Sequence, residues 1–357
     1  RVSEGRAWLE SVLAAPAVER TEARALALNG LAELVSNQGD WSIAWAALED
    51  SIAIARDLGD RQHLARRLAT LSLFRVRGAG GGGPETQALA DESLALARSL
   101  GEPWTLGYVL TVLDIRNLLL GDHGRGSTLG EEALRCFEAA GDQWGIVLSL
   151  RHLGMGAIAR GDYAAAGRFG ERSLAVSRSL GDRLGEAYTL NTLADVARVQ
   201  GDYDGAIARY QDSLALYRDL GLKGDVAACL HNLGYVMLAR GAPAEAKRLH
   251  AESLALHLQA GNKAGALEAL TGLAALAEVE GDLTRAARLF GAVQALRTAM
   301  AAPLWPAEQV EHDHYVTALR AQLDQAALTE AWDAGRAMTL EQAVADAREA
   351  APVNNAA

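Results

Sequence analysis

The chain has 357 residues, more than one ordinary compact core accommodates, so several domains or a repeat array are expected. Half of the residues are hydrophobic but only 5% are aromatic, a balance that favours helices over sheets. A formal charge of -11 repels phosphate backbones and argues against direct nucleic-acid binding, and no apolar run reaches the about 18 residues of a membrane span.

At the N-terminus, residues 4–15 read as a helix within a leading segment, 1–19. The chain opens Arg1-Val2-Ser3, with no initiator methionine and no signal peptide, which suggests a piece of a longer protein. From residue 20 a repeat sets in. A small apolar residue followed by glycine recurs at Leu58-Gly59, Leu100-Gly101, Ala140-Gly141, Leu180-Gly181, Leu220-Gly221 and Ala260-Gly261. The glycines are 40 residues apart, except for a first step of 42. Between them lies a second series: Gly39-Asp40, Gly121-Asp122, Gly161-Asp162, Gly201-Asp202, Gly241-Ala242 and Gly281-Asp282. Glycine can end a helix in the left-handed conformation, and aspartate can cap the next helix with its carboxylate. A mark about every 20 residues therefore predicts helix, turn, helix, turn, with seven helix pairs over 20–302.

Within the pairs a pattern recurs. Leu190, Leu193 and Ala194 on a first helix are followed by Ala206, Tyr210 and Ser213 on the second. Leu230, Leu233, Gly234, then Ala246, His250, Ser253 repeat it, as do Leu270, Leu273, Ala274, then Ala286, Phe290, Val293. Small residues let paired helices approach, and the spacing of three and four is helical. Gly126 and Gly130 in the third pair, and Gly170 in the fourth, depart from the pattern and predict a loosened second helix. The run Gly78 to Pro84 lacks the lysine and hydroxyl of a phosphate loop and predicts a lengthened, flexible turn.

After Met300 the period stops. Residues 303–350 are expected to form capping helices with Tyr315, Leu319, Leu323, Leu328 and Trp332 on an apolar stripe, and 351–357 a disordered tail. A DNA-reading helix-turn-helix is the sharper alternative, disfavoured by the acids there. Glu311-His312-Asp313-His314 reads as solvated surface, because residues two apart point to different helix faces and share an ion poorly. His250 stands at the aromatic position of its repeat and reads as packing. Cys136 and Cys229 are too far apart for a metal or redox motif and read as buried helix cysteines in a reducing cytoplasm.

The pattern Leu-x-x-Leu-Gly/Ala, then Ala-x-x-x-aromatic-x-x-Ala/Ser, resembles the tetratricopeptide motif in a form about six residues longer than the usual repeat. The resemblance implies an all-α, right-handed superhelical solenoid of antiparallel helix pairs with a C-terminal helical cap. The ends sharpen it. Glu4-Gly5-Arg6-Ala7-Trp8-Leu9-Glu10, Ala287-Arg288-Leu289-Phe290-Gly291, Ala302-Pro303-Leu304 and Trp332-Asp333-Ala334-Gly335-Arg336 look like the sensor regions of bacterial signal-transduction ATPases with numerous domains. Many of these are LuxR-type or adenylate-cyclase-associated transcriptional regulators.

What the resemblance implies is a non-catalytic, cytoplasmic sensor or interaction arm without cofactor or metal. Its partners would be a protein, a peptide or a small-molecule inducer, together with the ATPase module of a parent chain, and self-association is open. In tetratricopeptide folds the first helix of each pair lines the binding groove. Here the groove positions are Asn29 and Glu33, Thr111 and Ile115, Arg151 and Met155, Asn191 and Asp195, His231 and Tyr235, and Thr271, with Tyr108 and Glu268 near the rim. The lysine and asparagine clamp by which some members hold a C-terminal carboxylate is not assembled. Two other readings stay open: a free-standing receptor for a signalling peptide, and a self-assembly scaffold.

Overall fold

The computed structural model describes residues 2–14, 20–36, 38–79, 82–300, 304 and 306–348. Among them it contains helices and connecting turns but no strand. The chain begins with α1 (Val2–Ala14). Helix pairs follow: α2 (Glu22–Ser36) with α3 (Trp41–Leu58), α4 (Arg61–Ala79) with α5 (Pro84–Leu100), α6 (Pro103–Leu119) with α7 (His123–Ala140), and α8 (Gln143–Ala159) with α9 (Tyr163–Leu180). The series continues through α10 (Arg183–Val199) and α11 (Tyr203–Leu220), α12 (Lys223–Ala239) and α13 (Pro243–Gln259), and α14 (Lys263–Val279) and α15 (Leu283–Met300). The tail contributes α16 (Pro306–Gln322), α17 (Gln325–Arg336) and α18 (Leu340–Arg348). No helix among the described residues is long and apolar enough to cross a membrane.

The punctuation works as its chemistry requires. The glycines of both series take positive φ, from 64° at Gly181 to 82° at Gly281, and so end the helices they follow at a point where a β-carbon would be strained. The aspartates that follow accept from the next helix: Asp122 from Arg125 N at 3.1 Å, Asp162 from Ala165 N at 2.9 Å and Asp202 from Gly205 N at 3.0 Å. Ala242, at the same place before α13, has no side chain to cap with. Asp40 does not cap α3 either; its carboxylate pairs with Arg6.

The chain divides into two compact units, Arg1–Thr192 and Leu193–Ala357, with the boundary inside α10. In the first, the core runs from Ala25 to Leu153 and includes Leu48, Leu68, Leu110 and Phe137, all fully buried. In the second, it is built from α12, α14 and α15 around Leu267, Leu270 and Phe290 and is joined by Leu319, Leu328, Ala343 and Val344 of the tail.

Two local expectations are corrected. Gly78 is not part of a loose turn: α4 continues through it, and a β-carbon there would lie 2.5 Å from the Trp41 ring, so glycine admits the indole. Gly80 and Gly81 lie outside the described residues, as does the 351–357 tail. The glycines of α7 do not loosen it either, because α7 is continuous over 18 residues. Gly126 and Gly130 make room for Asp114 of α6, whose carboxylate oxygens would stand 2.9 and 2.8 Å from β-carbons at those positions. Asp114 takes the place that Gly154, Ala194 and Gly234 hold in later repeats, and the facing helix compensates with glycine.

Candidate ligand-binding face

The first helices of the pairs (α2, α4, α6, α8, α10, α12 and α14) carry the candidate residues. In the first unit their face presents cation–aromatic assemblies. Trp104 stacks on Tyr108, with centroids 5.8 Å apart and planes at 17°, and the Arg66 guanidinium lies 5.0 Å from the Trp104 centroid. Glu102 caps α6 by accepting from Trp104 N at 2.9 Å and Thr105 N at 2.6 Å, and the indole Nε1 of Trp104 donates to Asp142 at 2.6 Å. The ring is thus fixed at both ends. Further along, the Arg151 guanidinium sits over Tyr188, 4.6 Å from its centroid. Tyr108, Ile115, Arg151, Met155, Tyr188 and Asn191 are all partly exposed. Such a wall offers flat apolar surface beside fixed positive charge, a combination that suits peptide or small-molecule recognition.

In the second unit the same face is different. Asp195 of α10 accepts from the Tyr210 hydroxyl at 2.5 Å and faces Arg198 Nη2 at 3.4 Å. Burial raises the Asp195 pKa, and the Arg198 charge opposes the rise. Arg198, with its side chain 5% exposed, pairs with Glu311 of α16 and lies 6.0 Å from the centroid of Tyr235 on α12. Tyr315 of α16 stacks on Tyr235, with centroids 5.9 Å apart and planes at 21°. Arg297 of α15 faces Glu308 of α16 at 3.5 Å. Glu268 of α14 lies close enough to Glu308 for the two carboxyls to interact; burial, and then the Glu308 charge, push Glu268 up to about 8. Gln322, at the end of α16, donates to Glu278 of α14. Thus α16 lies across α10, α12 and α14 on the side where a ligand was expected.

Four of the anticipated groove residues are buried. Thr111 is buried and donates to Gly107 O at 2.9 Å, a bond within its own helix. Thr271 is buried and bonds Leu267 O at 2.9 Å in the same way. His231 and Tyr235 are buried in a ring cluster with His250, at centroid separations of 4.8, 5.1 and 5.3 Å. Thr111, His231 and Thr271 share their register with Arg151 and Asn191, and Tyr235 shares its own with Met155 and Asp195, so it is what packs over each side chain that buries them. Asn29, Met155, Asn191, Tyr108, Arg151, Asp195 and Glu268 are partly exposed, and Glu33 is exposed. Residues that sequence reasoning passed over are Arg66, Trp104, Tyr188, Arg198 and Arg297. The aromatic and basic residues at helix starts and ends were the available signal.

Other groups resolve plainly. Glu311 and His312 are not solvated: the first pairs with Arg198, and the second packs edge-on against Phe290 at 5.6 Å. His250 fills an aromatic slot between Gly234 and Gly272, where a β-carbon on either glycine would strike its ring. Burial lowers its pKa to about 3, and that of His257 to about 4, so both are neutral. Cys229 is buried, which pushes its thiol up to about 12, whereas Cys136 is only half-buried. Among the described residues, Glu22, Asp60 and His63 bring potential metal ligand atoms within 4.8 Å of one another. Asp60 is already bonded to His63 there, and the buried Arg67 beside it disfavours a cation.

Paired antiparallel helices stacked in register, with polar and aromatic groups along their first helices, define a helical-repeat interaction domain. Models of the tetratricopeptide repeat match residues 145–219 and 226–260, so the chain carries tetratricopeptide repeats. No curated protein matches it. Among solved structures it is similar to a Rap protein complexed with competence and sporulation factor, at 17% identity and a TM-score of 0.58, over 91% of this chain and 89% of that one. It is also similar to aspartyl phosphate phosphatase F from Bacillus subtilis, at 8% identity and a TM-score of 0.54, over 95% of this chain and 90% of that one. A third likeness is to a signal-transduction ATPase with numerous domains that has a tetratricopeptide repeat sensor, from Pyrococcus horikoshii. There the identity is 14% and the TM-score 0.51, over 97% of this chain and 54% of that one, so this chain spans about half of that protein. At such identities the likeness is one of fold.

Proposed function

We propose that this chain is the non-catalytic sensor and interaction arm of a bacterial ATPase-type transcriptional regulator, acting in the cytoplasm. It binds a protein, peptide or small-molecule inducer on the first-helix face. The observation that carries this reading is the cation–aromatic wall of the first unit, with Arg66, Trp104 and Tyr108 at one end and Arg151 and Tyr188 at the other. A guanidinium held over a partly exposed ring offers a ligand flat apolar surface and positive charge side by side. Likeness to a signal-transduction ATPase with a tetratricopeptide repeat sensor supports the regulatory part, and likeness to a Rap protein complexed with a factor supports the binding part. Asn29, Glu33, Met155 and Asn191 extend the proposed face of the first unit.

Thermal-shift screening against pooled metabolites and random peptides tests the binding part. A receptor gains several degrees with a subset of pools; a scaffold gains with none. The reading frame upstream of Arg1 tests the regulatory part, because an ATPase arm predicts a phosphate-binding loop with its lysine there. A frame without one contradicts the regulator and leaves a free-standing peptide receptor.

A further inference from the structure

The tail meets the second unit in two chemically different ways. α17 and α18 are seated on α15 by backbone approach and apolar burial. β-Carbons on Gly291 and Gly335 would collide with the main chain of the opposite helix, and Leu328, Ala331, Ala343 and Val344 are buried. That is a permanent cap.

α16 is also anchored by Val316 and Leu319, but toward its N-terminal end it is held by charge and a ring. Glu308, Glu311 and Tyr315 stand three and four residues apart and so share one helix face. They meet, in turn, Arg297, Arg198 and Tyr235. The two arginine side chains are 9% and 5% exposed. Asp195 also faces Arg198, at 3.4 Å, and Glu268 lies near Arg297, so each carboxylate of α16 adds to a positive site already withdrawn from water. Such polar contacts select their occupant by charge and spacing, since an anion in the same place restores each bond.

We propose that the first-helix face of the second unit is a binding site for an acidic helical segment with the spacing Glu-x-x-Glu-x-x-x-Tyr, and that α16 is its displaceable internal occupant. The site is specified by Arg198 and Arg297, one for each carboxylate, and by Tyr235 for the ring. An incoming partner with the same stripe exchanges its carboxylates for those of Glu308 and Glu311 and lifts the N-terminal half of α16. This extends the reading of the first-helix face as the binding face.

The test weakens the occupant and leaves the site intact. Glu308→Lys with Glu311→Lys is introduced into the full chain, and hydrogen–deuterium exchange is followed over α16, α17 and α18. A fluorescein-labelled peptide of sequence 304–323 is then titrated by fluorescence anisotropy. The proposal predicts exchange at least tenfold faster in α16 with α17 and α18 unchanged. It also predicts peptide binding at least tenfold tighter than to the unmodified chain, and lost when the peptide carries lysine at both glutamate positions. Asp313→Lys, which reverses a single charge on the exposed side of α16, leaves both readings where they were. Should the lysine variant fail to fold by circular dichroism, Glu308→Gln with Glu311→Gln is used, with the same direction and smaller amplitude. Unchanged exchange in α16 overturns the displaceable occupant. Faster exchange without peptide binding overturns the acidic-segment site. Neither result bears on Arg151 and Tyr188, so the binding wall of the first unit stands or falls separately.

Discussion

The carboxylate of Asp114 fills the volume that a side chain on Gly130 would take: its Oδ2 lies 2.8 Å from the position of a β-carbon there. Asp114 is buried, and burial raises its pKa to about 7 against the opposing charge of Arg160. An acid whose folded pKa lies above its unfolded value binds its proton more tightly when folded. Stability from this group is therefore complete below pH 3.8, the ordinary value, and is lost as pH rises to about 7. Asp114→Asn removes that loss. The variant is expected to be more stable than the parent at pH 8 by on the order of 2 kcal/mol, with the gap closing toward pH 4. Denaturant unfolding at the two pH values measures it.

Gly130→Ala gives the converse. The added methyl group meets the carboxylate and also Leu153 Cδ2 at 2.9 Å, so the helix pair must separate. A loss of about 1–3 kcal/mol is expected, the usual range for overpacking. Combining it with Asp114→Ala should recover much of the loss, and a double-mutant cycle reads the coupling.

In the second unit the histidines act with the opposite pH sign. His250 and His257 have folded pKa values of about 3 and about 4, held down by burial, against an ordinary 6.5. Their contribution is present above pH 6.5 and is lost as pH falls through those folded values. His250→Phe puts at this position the side chain that Phe290 supplies in the next repeat. The variant is expected to flatten the melting temperature between pH 4 and 6.5 relative to the parent. Scanning calorimetry across that range decides it, and an unchanged slope places the acid sensitivity elsewhere.

The carboxyl of Glu268 faces Glu308 of α16, with Arg297 of α15 as the nearby cation, and is pushed up to about 8 by burial and by Glu308. As pH rises toward and past that value Glu268 ionises and repels α16. Amide exchange in α16, corrected for its intrinsic pH dependence, is expected to quicken from pH 7 to 9. Glu268→Gln removes the increase.

The fold is legible in this sequence because glycine at positive φ, often followed by a capping aspartate, marks most turns with a local requirement that needs no knowledge of what packs where. Asp114 is less legible. It stands at a position that is small in the later repeats, and the glycines 12 and 16 positions later looked like weakness in α7 rather than accommodation. Read as a pair, they contain the signal. The α16 contacts are further from reach. Glu311 and Arg198 are more than a hundred positions apart, no periodicity joins them, and Glu311 sits among polar neighbours that read as solvated. Thr111, His231, Tyr235 and Thr271, expected in the groove, turn into the packing, because the motif gives the helix face and not what packs over each side chain.

Gly335→Ala separates the permanent cap from the rest of the tail. Its β-carbon would collide with the main chain of Arg288, which no rotamer change relieves. A loss of about 3 kcal/mol or more is expected, with exchange quickening in α17 and α18 together. The same substitution at Gly224, where a β-carbon has open space, should be nearly neutral or stabilising.

The most direct measurement is the affinity of the chain for a peptide selected against it from a random library, compared between the parent and Arg151→Ala with Tyr188→Ala. The Arg151 guanidinium over the Tyr188 ring is the centre of the proposed binding wall. Isothermal titration calorimetry on variants shown by circular dichroism to be folded is expected to show at least a tenfold loss of affinity. Equal affinity in parent and variant would contradict the assignment of the first-helix face of the first unit as the site where this protein meets its ligand.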